Sequence, residues 1–353
     1  YMAEQGKSRR RILREIQFMQ QQTKSGEPIN IKKMQEYLDE YSAIRQIIYS
    51  DLSIMEEMGA GVVHKKNGRY YYDRQSFSGG ELALMIDLVC CAGYPDIKSA
   101  KELILHIKQM GNDEEFDALS HHEHLALRNK TDNLDCINNT NIIHKAIRED
   151  KKIHFIYAHA DKYGKNILDK EHVISPYQLL WNDSRLYLIG GNEYKNAVKQ
   201  SSFRVDKIYD LKITDQKRKL LANNNPFYND DQGFDGEKYL NSTFDMYNSK
   251  DGKTTQVTFC IENKLAGTAL DRFGKDIKLK EYDQEHMTFT AEIQVSNMFF
   301  GWLAKFTYGQ MHIVRPKRIV DGYRKHLQNI IDKYDYHFSS ASKSPNKWTD
   351  SVI

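Results

Sequence analysis

Residues 173–214 constrain the fold more than any other stretch of the chain. Apolar and polar residues alternate there in three short runs, which are separated by Asn182-Asp183-Ser184 and by Gly190-Gly191-Asn192. Alternation with a period of two residues indicates strands, and Asn, Asp and Gly between the runs indicate turns. The stretch therefore predicts a small antiparallel sheet or part of a barrel, with a turn at each break.

The two faces of this predicted sheet differ in chemistry. Strand periodicity places Leu186 and Leu188 on one face, where they would pack. The other face would carry the polar side chains of two strands, namely Arg185, Tyr187, Ser202, Arg204 and Asp206. Because guanidinium groups form paired hydrogen bonds with phosphate oxygens, this face predicts a site for an anionic ligand. An ion pair between Arg204 and Asp206 on the same face is the structural alternative.

Length and composition restrict the class of protein. A chain of 353 residues with 40% hydrophobic residues predicts two or three domains. Its net charge of +3 means that any nucleic-acid binding depends on local clusters of charge. The four cysteines show no Cys-x-x-Cys spacing, and no apolar run is long enough to cross a membrane. We expect a soluble protein of the reducing cytoplasm, without a metal or other cofactor.

The N-terminal segment, residues 7–75, predicts three helices followed by a hairpin. A basic first helix precedes the break at Gly26-Glu27-Pro28, and helical periodicity then covers residues 31–41 and 42–58. Asn67-Gly68 between two β-favouring runs indicates a tight hairpin. Three helices and a basic hairpin in this order predict a winged helix-turn-helix domain, whose third helix enters the major groove of DNA.

The third predicted helix has a buried stripe that includes Ile44 and Ile48, and Ser42 is placed to cap its N-terminus. Its opposite face carries Arg and Gln, the residue types that hydrogen-bond base edges, and the hairpin tip is basic. The alternative interpretation is a small helical domain with a solvated, charged face. The predicted DNA contacts are Arg9, Arg10, Ser42, Arg45, Gln46, Tyr49, Lys65, Lys66 and Arg69.

Residues 76–140 predict a helical connector. Ser78 and Glu81 have the spacing of a capping box, which opens a helix to about Cys91. A second amphipathic helix covers residues 96–110, and packing or dimerisation is the expected use of both helices. The run His121-His122-Glu123-His124 lacks the i+4 partner of a helical zinc site, which favours a polar loop.

Motifs in two regions resemble the bacterial transcriptional regulators that join a winged helix-turn-helix to a WYL domain. Residues 42–52, followed by Met58-Gly59, are similar to their recognition helix, with Ser50 where an arginine is common. In the predicted barrel, residues 141–215, the order and spacing of three motifs match the WYL pattern: Pro176-Tyr177, Arg185-Leu186-Tyr187-Leu188 and Phe203-Arg204-Val205-Asp206-Lys207-Ile208. Leu186 replaces the tryptophan of the Trp-Tyr-Leu tripeptide, on the face that we assign to packing.

The resemblance implies an Sm-like β-barrel whose basic pocket senses a nucleic acid or a nucleotide-like molecule. The pocket residues that it implies are Tyr157, Tyr177, Arg185, Tyr187, Ser202 and Arg204. Tyrosine rings in such a pocket would stack on bases, at about 1–3 kcal/mol per base. The motifs Arg272-Phe273-Gly274, Trp302 and Val314-Arg315-Pro316 resemble the C-terminal WCX extension of these regulators, which assists dimerisation and ligand coupling.

The predicted fold class is multidomain α+β. The winged helix-turn-helix (7–75), helical connector (76–140) and WYL barrel (141–215) are followed by a linker of low hydrophobicity, residues 216–253. The linker has apolar anchors at Phe227, Phe234, Tyr239, Leu240 and Phe244. Residues 254–335 have the pattern βαββαβα and predict a WCX-like α+β domain, with a last helix at residues 319–334. Residues 336–353 predict a flexible tail.

Two functions from different classes are consistent with this organisation. The first is a homodimeric, ligand-responsive transcriptional regulator that binds a double-stranded DNA operator. The alternative is an accessory protein that binds RNA or single strands and modulates a phage-defence nuclease of the CRISPR type. We do not expect an enzyme, because the sequence has neither a Gly-x-Ser-x-Gly elbow nor the full phosphate-binding motif Gly-x-x-x-x-Gly-Lys-Ser/Thr.

Overall fold

The computed structural model describes residues 2–23, 27–41, 43–72, 77–110, 130–194, 197–221, 225–229 and 233–341. The chain forms two compact units, Tyr1–Ile137 and Asn138–Ile353. Helices and antiparallel sheets occur in both units, which confirms the predicted mixture of helices and strands.

The first unit begins with three helices and a hairpin, in the predicted order. The helices are α1 (Met2–Gln22), α2 (Ile31–Tyr37) and α3 (Arg45–Glu57), and the hairpin pairs β1 (Val62–His64) with β2 (Tyr70–Tyr72). All five elements contribute to one core, which contains Met19, Met34, Ile48, Leu52, Val62 and Tyr72. Burial of this shared core fixes α3 relative to the hairpin.

The start of α3 differs from the prediction. Ile44 occupies the N-cap position in an extended conformation, and no side-chain hydrogen bond caps the helix there. Ser42, predicted as the cap and as a DNA contact, lies outside the described residues. Ile44 is 53% exposed rather than buried, because a cap residue precedes the first helical turn and does not follow the helix's buried stripe.

A buried charge cluster joins α1 to α3. Arg11 Nε donates a hydrogen bond to Asp51 Oδ2 at 2.8 Å and lies 3.6 Å from Glu15 Oε1. Glu15 and Asp51 are both buried. Burial raises the pKa of Glu15 to about 8, and the nearby Asp51 carboxylate adds to the shift. One arginine faces two carboxyl groups, so Glu15 keeps its proton at neutral pH.

Glu15→Gln is expected to remove a pH dependence of the first unit's stability. Folded Glu15 holds its proton up to about pH 8, whereas the unfolded chain releases it near pH 4.5. The free energy of unfolding therefore falls as pH rises between these values, by about 3 kcal/mol at pH 7. Glutamine keeps the neutral shape, so the variant should be the more stable protein at pH 8.

Urea denaturation at a series of pH values between 5 and 8 measures this effect as a change in the free energy of unfolding. Glu57→Gln, at an exposed position of α3, is the matched control and should leave the pH profile unchanged. Identical profiles for Glu15→Gln and the unaltered protein would show that Glu15 is ionised in the folded state.

Two further helices complete the described part of the first unit, α4 (Gly79–Cys91) and α5 (Ile97–Lys108). The predicted capping box is present: Ser78 N–H donates to Glu81 Oε2 at 2.7 Å, and Glu81 N–H donates to Ser78 Oγ at 3.4 Å. Apolar side chains of the two helices form their own cluster, which contains Leu82, Ile86, Cys90, Ile104 and Ile107. Packing of one helix on the other is therefore one use of these amphipathic faces.

The histidine run at residues 121–124 lies outside the described part of the chain. Within that part, no group of three or more His, Cys, Asp or Glu residues could hold a metal ion. None of the described helices has both the length and the apolar character needed to cross a bilayer.

A five-stranded antiparallel sheet follows α6 (Cys136–Arg148). Its strands, in the sheet order β6-β5-β4-β3-β7, are β3 (Lys151–Ala160), β4 (Asn166–Asn182), β5 (Arg185–Tyr194), β6 (Ala197–Arg204) and β7 (Ile208–Lys217). The edge strands β6 and β7 are joined only by the 3-10 turn Val205–Lys207. Three residues span at most about 10 Å, so the two edges come together and the sheet curves into a barrel.

Contacts between strands that are not neighbours in the sheet show this closure. Tyr157 Oη of β3 accepts a hydrogen bond from the Arg204 backbone N–H of β6 at 3.1 Å. The rings of Phe155 and Phe203, from the same two strands, lie 5.3 Å apart. Leu186 and Leu188 are buried, which confirms the predicted packing face of β5.

The second of the two predicted turns is wrong. Asp183 and Ser184 form the first turn with positive φ, but β5 runs through Gly190-Gly191-Asn192 as a paired strand. The glycines permit close packing instead: a Cβ on Gly191 would lie 2.1 Å from Tyr177 Oη and 2.4 Å from Val198 Cγ1. No side chain larger than hydrogen fits there without displacing a neighbour.

The predicted linker, residues 216–253, is structured in its described parts, contrary to the prediction. It contains β8 (Tyr228–Asn229), β9 (Gly233–Phe234) and α7 (Gly236–Ser242). Its residues Phe227 and Tyr239 pack with the barrel residues Leu180 and Ile189. The widely spaced aromatic residues of an otherwise polar stretch therefore cover an apolar face of the sheet.

The C-terminal domain has the predicted order βαββαβα. Its elements are β10 (Thr255–Glu262), α8 (Ala266–Phe273), β11 (Lys280–Glu281), β12 (His286–Ile293), α9 (Asn297–Ala304), β13 (Met311–Arg315) and α10 (Lys317–Ala341). The strands form a sheet in the order β11-β12-β10-β13. α10 continues beyond its predicted end, so residues 336–341 of the predicted tail are helical.

Candidate functional site

Two arginines of the barrel share one buried carboxylate. Arg204 binds Asp206 through two hydrogen bonds, from Nε to Oδ1 at 3.0 Å and from Nη2 to Oδ2 at 2.6 Å. Arg185 Nη1 donates to the same Oδ2 at 3.2 Å. The Asp206 side chain is 4% exposed, whereas those of Arg185 and Arg204 are 20% and 29% exposed. The carboxylate thus holds two partly accessible guanidinium groups in place.

The ion pair that the sequence gave as the structural alternative is present, and an anion site on the same face stays a prediction. Two guanidinium groups face one carboxylate, which leaves one net positive charge in the cluster. Asp206 engages two of the five N–H groups of Arg204. Because the Asp206 fork fixes the plane of that guanidinium, its remaining donors have a defined orientation for a phosphate or carboxylate.

Tyr187 lies directly across from Arg204 in the pairing of β5 with β6. Burial raises the pKa of Tyr187, and the positive charge of Arg204 opposes that shift. Asp183 and Asp245 are near enough to raise the same pKa further. The Tyr187 phenol is therefore neutral at physiological pH and can donate a hydrogen bond. Both positive and negative groups surround it. Because the charge is mixed, hydrogen-bond geometry rather than net charge would select a ligand.

The other implied pocket residues have structural partners. Tyr157 Oη accepts the barrel-closing hydrogen bond described above, and burial raises its pKa. Ser202 Oγ lies 2.9 Å from Tyr239 Oη and 3.2 Å from the Met246 carbonyl oxygen. Tyr177 is 7% exposed, and its hydroxyl donates to the Lys219 carbonyl at 2.7 Å. Of the implied pocket residues, Arg185 and Arg204 hydrogen-bond to Asp206, and Tyr187 lies opposite Arg204.

The described residues of segment 225–248 also belong to this site, which the sequence indicated only as apolar anchors of a linker. Tyr187 packs in the cluster that contains Phe227, Tyr239 and Met246. The link continues to the C-terminal domain, because Arg272 donates to the carbonyls of Leu240, Asn241 and Thr243 at 2.8–3.1 Å. These contacts join residues 29 to 32 positions apart, and no local motif marks them.

A second candidate surface lies in the first unit. Arg45, Gln46 and Tyr49 are exposed on α3, opposite the buried residues of that helix. A cleft of about 320 Å³ brings Tyr49 together with Gly68, Arg69 and Tyr70 of the hairpin. The rings of Tyr49 and Tyr70 are 6.0 Å apart. The exposed face of α3 and the hairpin therefore form one continuous surface.

The predicted basic residues around this surface are accessible. Lys65, Lys66 and Arg69 are exposed at the hairpin, and the Lys65 Nζ lies 4.1 Å from the centre of the Tyr71 ring. Arg9 and Arg10 are exposed on α1. Glu56 Oε1 accepts the His64 backbone N–H at 2.7 Å, which ties the hairpin to the end of α3.

A family model of the WYL domain matches residues 138–213, so a WYL domain comprises most of α6 and the barrel. The solved structures that are similar to the chain include the following two. Proteasome accessory factor B/C (PafBC) of Arthrobacter aurescens has 13% identity and a TM-score of 0.27, over 92% of this chain and 54% of that one. A CRISPR Cas-related protein has 14% identity and a TM-score of 0.34, over 75% of this chain and 88% of that one.

The chain thus spans about half the length of the PafBC chain. No curated protein matches the sequence.

Proposed function

We propose that this WYL-domain protein is a ligand-responsive transcriptional regulator that binds double-stranded DNA as a homodimer. The observation that carries the proposal is the continuous surface of α3 and the hairpin in the first unit. Tyr49 of the helix and Arg69 of the hairpin line one cleft, and Arg45, Gln46 and Lys65 are exposed on the same two elements. This combination supports a winged helix-turn-helix, in which the helix would contact bases and the wing would contact phosphates.

The WYL domain would supply the response to a ligand. Arg204, oriented by Asp206 beside Arg185, would donate to phosphate oxygens of a nucleic acid or a nucleotide-like effector. Such a ligand would act by favouring one placement of the two DNA-binding domains over another. In a two-fold dimer, the operator would then have pseudo-palindromic half-sites separated by one or more helical turns.

The hairpin is tested by the salt dependence of DNA binding. Lys65→Ala/Lys66→Ala should lower the slope of log K against log salt concentration by about two units, because each lost phosphate contact removes about 0.9. Fluorescence anisotropy with a random-sequence duplex measures the slope without knowledge of the operator.

Lys98→Ala/Lys101→Ala, at exposed positions of α5, is the control with the same change in charge. It should leave the slope unaltered. Equal slopes for both double variants would remove the hairpin from the DNA contacts.

Arg204→Ala tests the barrel site. The probe is a short, 5′-phosphorylated single-stranded oligonucleotide of mixed sequence, and the variant should weaken its binding by about tenfold, the loss of one charge-assisted contact. Binding of the random-sequence duplex should stay near that of the unaltered protein. Arg148→Ala, at an exposed position of α6, is the matched control. Equal probe affinities for both variants would contradict the assignment of the site.

The second candidate is an accessory protein whose main nucleic-acid surface is the barrel. The partly exposed arginine pair beside Tyr187 is the observation that favours it. Titration with duplex DNA and with single-stranded RNA at one salt concentration separates the two functions. A preference for duplex that survives Arg204→Ala supports the regulator, whereas a preference for RNA that Arg204→Ala abolishes supports the accessory protein. Both are binding functions, and we propose no catalytic one.

A further inference from the structure

The C-terminal sheet has an incompletely paired strand. Within the described residues, β11 pairs with β12 only at Met287 and Thr288. Beyond β12, the Gln294 N–H donates to the Ser242 carbonyl at 2.8 Å. Between these two points, the described chain places no strand on the outer side of residues 289–293. Alternate backbone N–H and C=O groups of that stretch point away from β10, and no described strand pairs with them.

A cavity of about 730 Å³ runs along this outer edge. Five consecutive residues of β12, from Thr288 to Glu292, line it. Successive side chains of a strand point to opposite faces of the sheet, so a cavity that touches five in a row includes the edge. Thr258 of β10 and Arg315 of β13 also line it, so the cavity continues over the polar face of the sheet. Four residue steps measure about 14 Å, which is enough for a short extended segment.

Two elements lie at the ends of this edge. α7 lies at the Gln294 end, through the hydrogen bond to Ser242 and the contact of Lys238 with Glu292. The segment that leads from α8 to β11 lies at the Thr288 end and contributes Asp276 and Lys278 to the lining. A partner therefore reaches the edge as a short segment of a few residues.

The two sides of the sheet edge offer different partners to alternate side chains. Phe273, Ile277 and Phe289 contribute apolar surface that belongs to the core side of the sheet. On the opposite side, the hydroxyl groups of Thr258 and Thr290 lie 2.9 Å apart and form a polar strip. A bound strand would therefore place apolar residues on one side and polar residues on the other, with a period of two.

Charge gives the cavity a direction. Lys280 pairs with Thr288, so Lys278 and Lys280 mark one end of the open edge. Glu237 and Glu292 lie toward the other end, where Lys238 Nζ is 3.6 Å from Glu292 Oε2. Lys238 already pairs with Glu292, and Asp276 accompanies Lys278 and Lys280, so the lysine end offers one net positive charge to an acidic residue of the bound segment.

We propose that the C-terminal domain binds an extended polypeptide segment, which adds as a strand to the outer edge of β12. The partner segment alternates apolar and polar residues and carries an acidic residue near Lys278 and Lys280. Backbone hydrogen bonds supply affinity in this mode, and alternate side-chain contacts supply specificity. The site is separate from the surfaces assigned to DNA and to the effector, so it does not rest on the proposed function.

Selection from a displayed library of random decapeptides tests the proposal directly. The full-length protein should enrich peptides of alternating polarity with an acidic residue toward one end. An enriched peptide is then resynthesised in two forms, N-methylated at its odd or at its even positions. Only one form should lose binding, by about a hundredfold, since a paired strand presents alternate N–H groups to its neighbour.

Lys278→Glu/Lys280→Glu should weaken binding of the enriched peptide by about tenfold. When the selection is repeated with this variant, the enriched peptides should carry basic residues in place of acidic ones. Lys325→Glu/Lys333→Glu, at exposed positions of α10 outside the cavity, has the same change in charge and should bind as the unaltered protein does. The proposal is overturned by an absence of enriched peptides, by equal binding of both N-methylated forms, or by equal effects of the two charge reversals.

Discussion

Asp206→Asn is expected to destabilise the WYL domain by about 3 kcal/mol. The Asp206 carboxylate is buried and is bound by the guanidinium groups of Arg185 and Arg204. Asparagine preserves the shape but removes the negative charge, so two partly buried cations are left facing each other. Equilibrium urea denaturation measures the loss as a lower midpoint at an unchanged slope.

Asp183→Asn is the matched control for this variant. Asp183 is exposed in the turn between β4 and β5 with a φ of 44°, a conformation that asparagine also adopts readily. Its free energy of unfolding should change by less than about 0.5 kcal/mol. A loss no larger than this in Asp206→Asn would show that the arginines do not depend on the carboxylate.

Asp206→Asn also separates two ways in which the arginines could bind an anion. If Asp206 acts by orienting the guanidinium of Arg204, loss of the carboxylate should weaken binding of the oligonucleotide probe. If net charge alone governs affinity, loss of the carboxylate should strengthen binding of the probe instead. The measured direction distinguishes the two.

Gly191→Ala is expected to cost about 3 kcal/mol, the upper part of the range for overpacking a well-filled interior. The added methyl group would stand 2.1 Å from Tyr177 Oη and 2.4 Å from Val198 Cγ1. Tyr177 has little freedom to retreat, because it is buried and its hydroxyl donates to the Lys219 carbonyl. Thermal or urea denaturation of the full chain measures the effect.

Gly267→Ala is the control, since nothing lies within 4 Å of a Cβ at that position of α8. It should be neutral or stabilising, because alanine favours a helix over glycine by about 1 kcal/mol. Tyr177→Phe removes the clashing oxygen, and the double variant Gly191→Ala/Tyr177→Phe should recover part of the loss. Strict additivity of the two changes would show that the clash with Tyr177 is not the cause.

Local patterns in the sequence identified the secondary structure of both units and one of the two candidate surfaces. Asn67-Gly68 between β-favouring runs marked the hairpin, and helical periodicity marked the face of α3 that carries Arg45 and Tyr49. Where the local pattern was ambiguous, the prediction was wrong. Gly190 and Gly191 are residues typical of turns. At Gly191, however, Tyr177 and Val198 of the two neighbouring strands lie so close that no side chain fits.

The barrel site shows the same division. Alternation along β5 and β6 placed Arg185, Tyr187 and Arg204 on one face, because the direction of a strand side chain depends only on its position in the run. Which groups meet on that face depends on strand register, on closure of the barrel through Val205–Lys207, and on the segment that covers Tyr187. Closure of the barrel places Asp206 between Arg185 and Arg204, which are 19 positions apart in the chain. Arg185 is 21 positions from Asp206.

The sequence by itself therefore determined the order of helices and strands, the buried stripes, and the residue types available for nucleic-acid recognition, since each follows from spacing over a few residues. Only the tertiary structure decided that Tyr177 and Tyr157 serve packing and closure, that residues 225–248 cover the barrel, and that the edge of β12 is open. These features depend on contacts between residues far apart in the chain, and local periodicity carries no information about such distances.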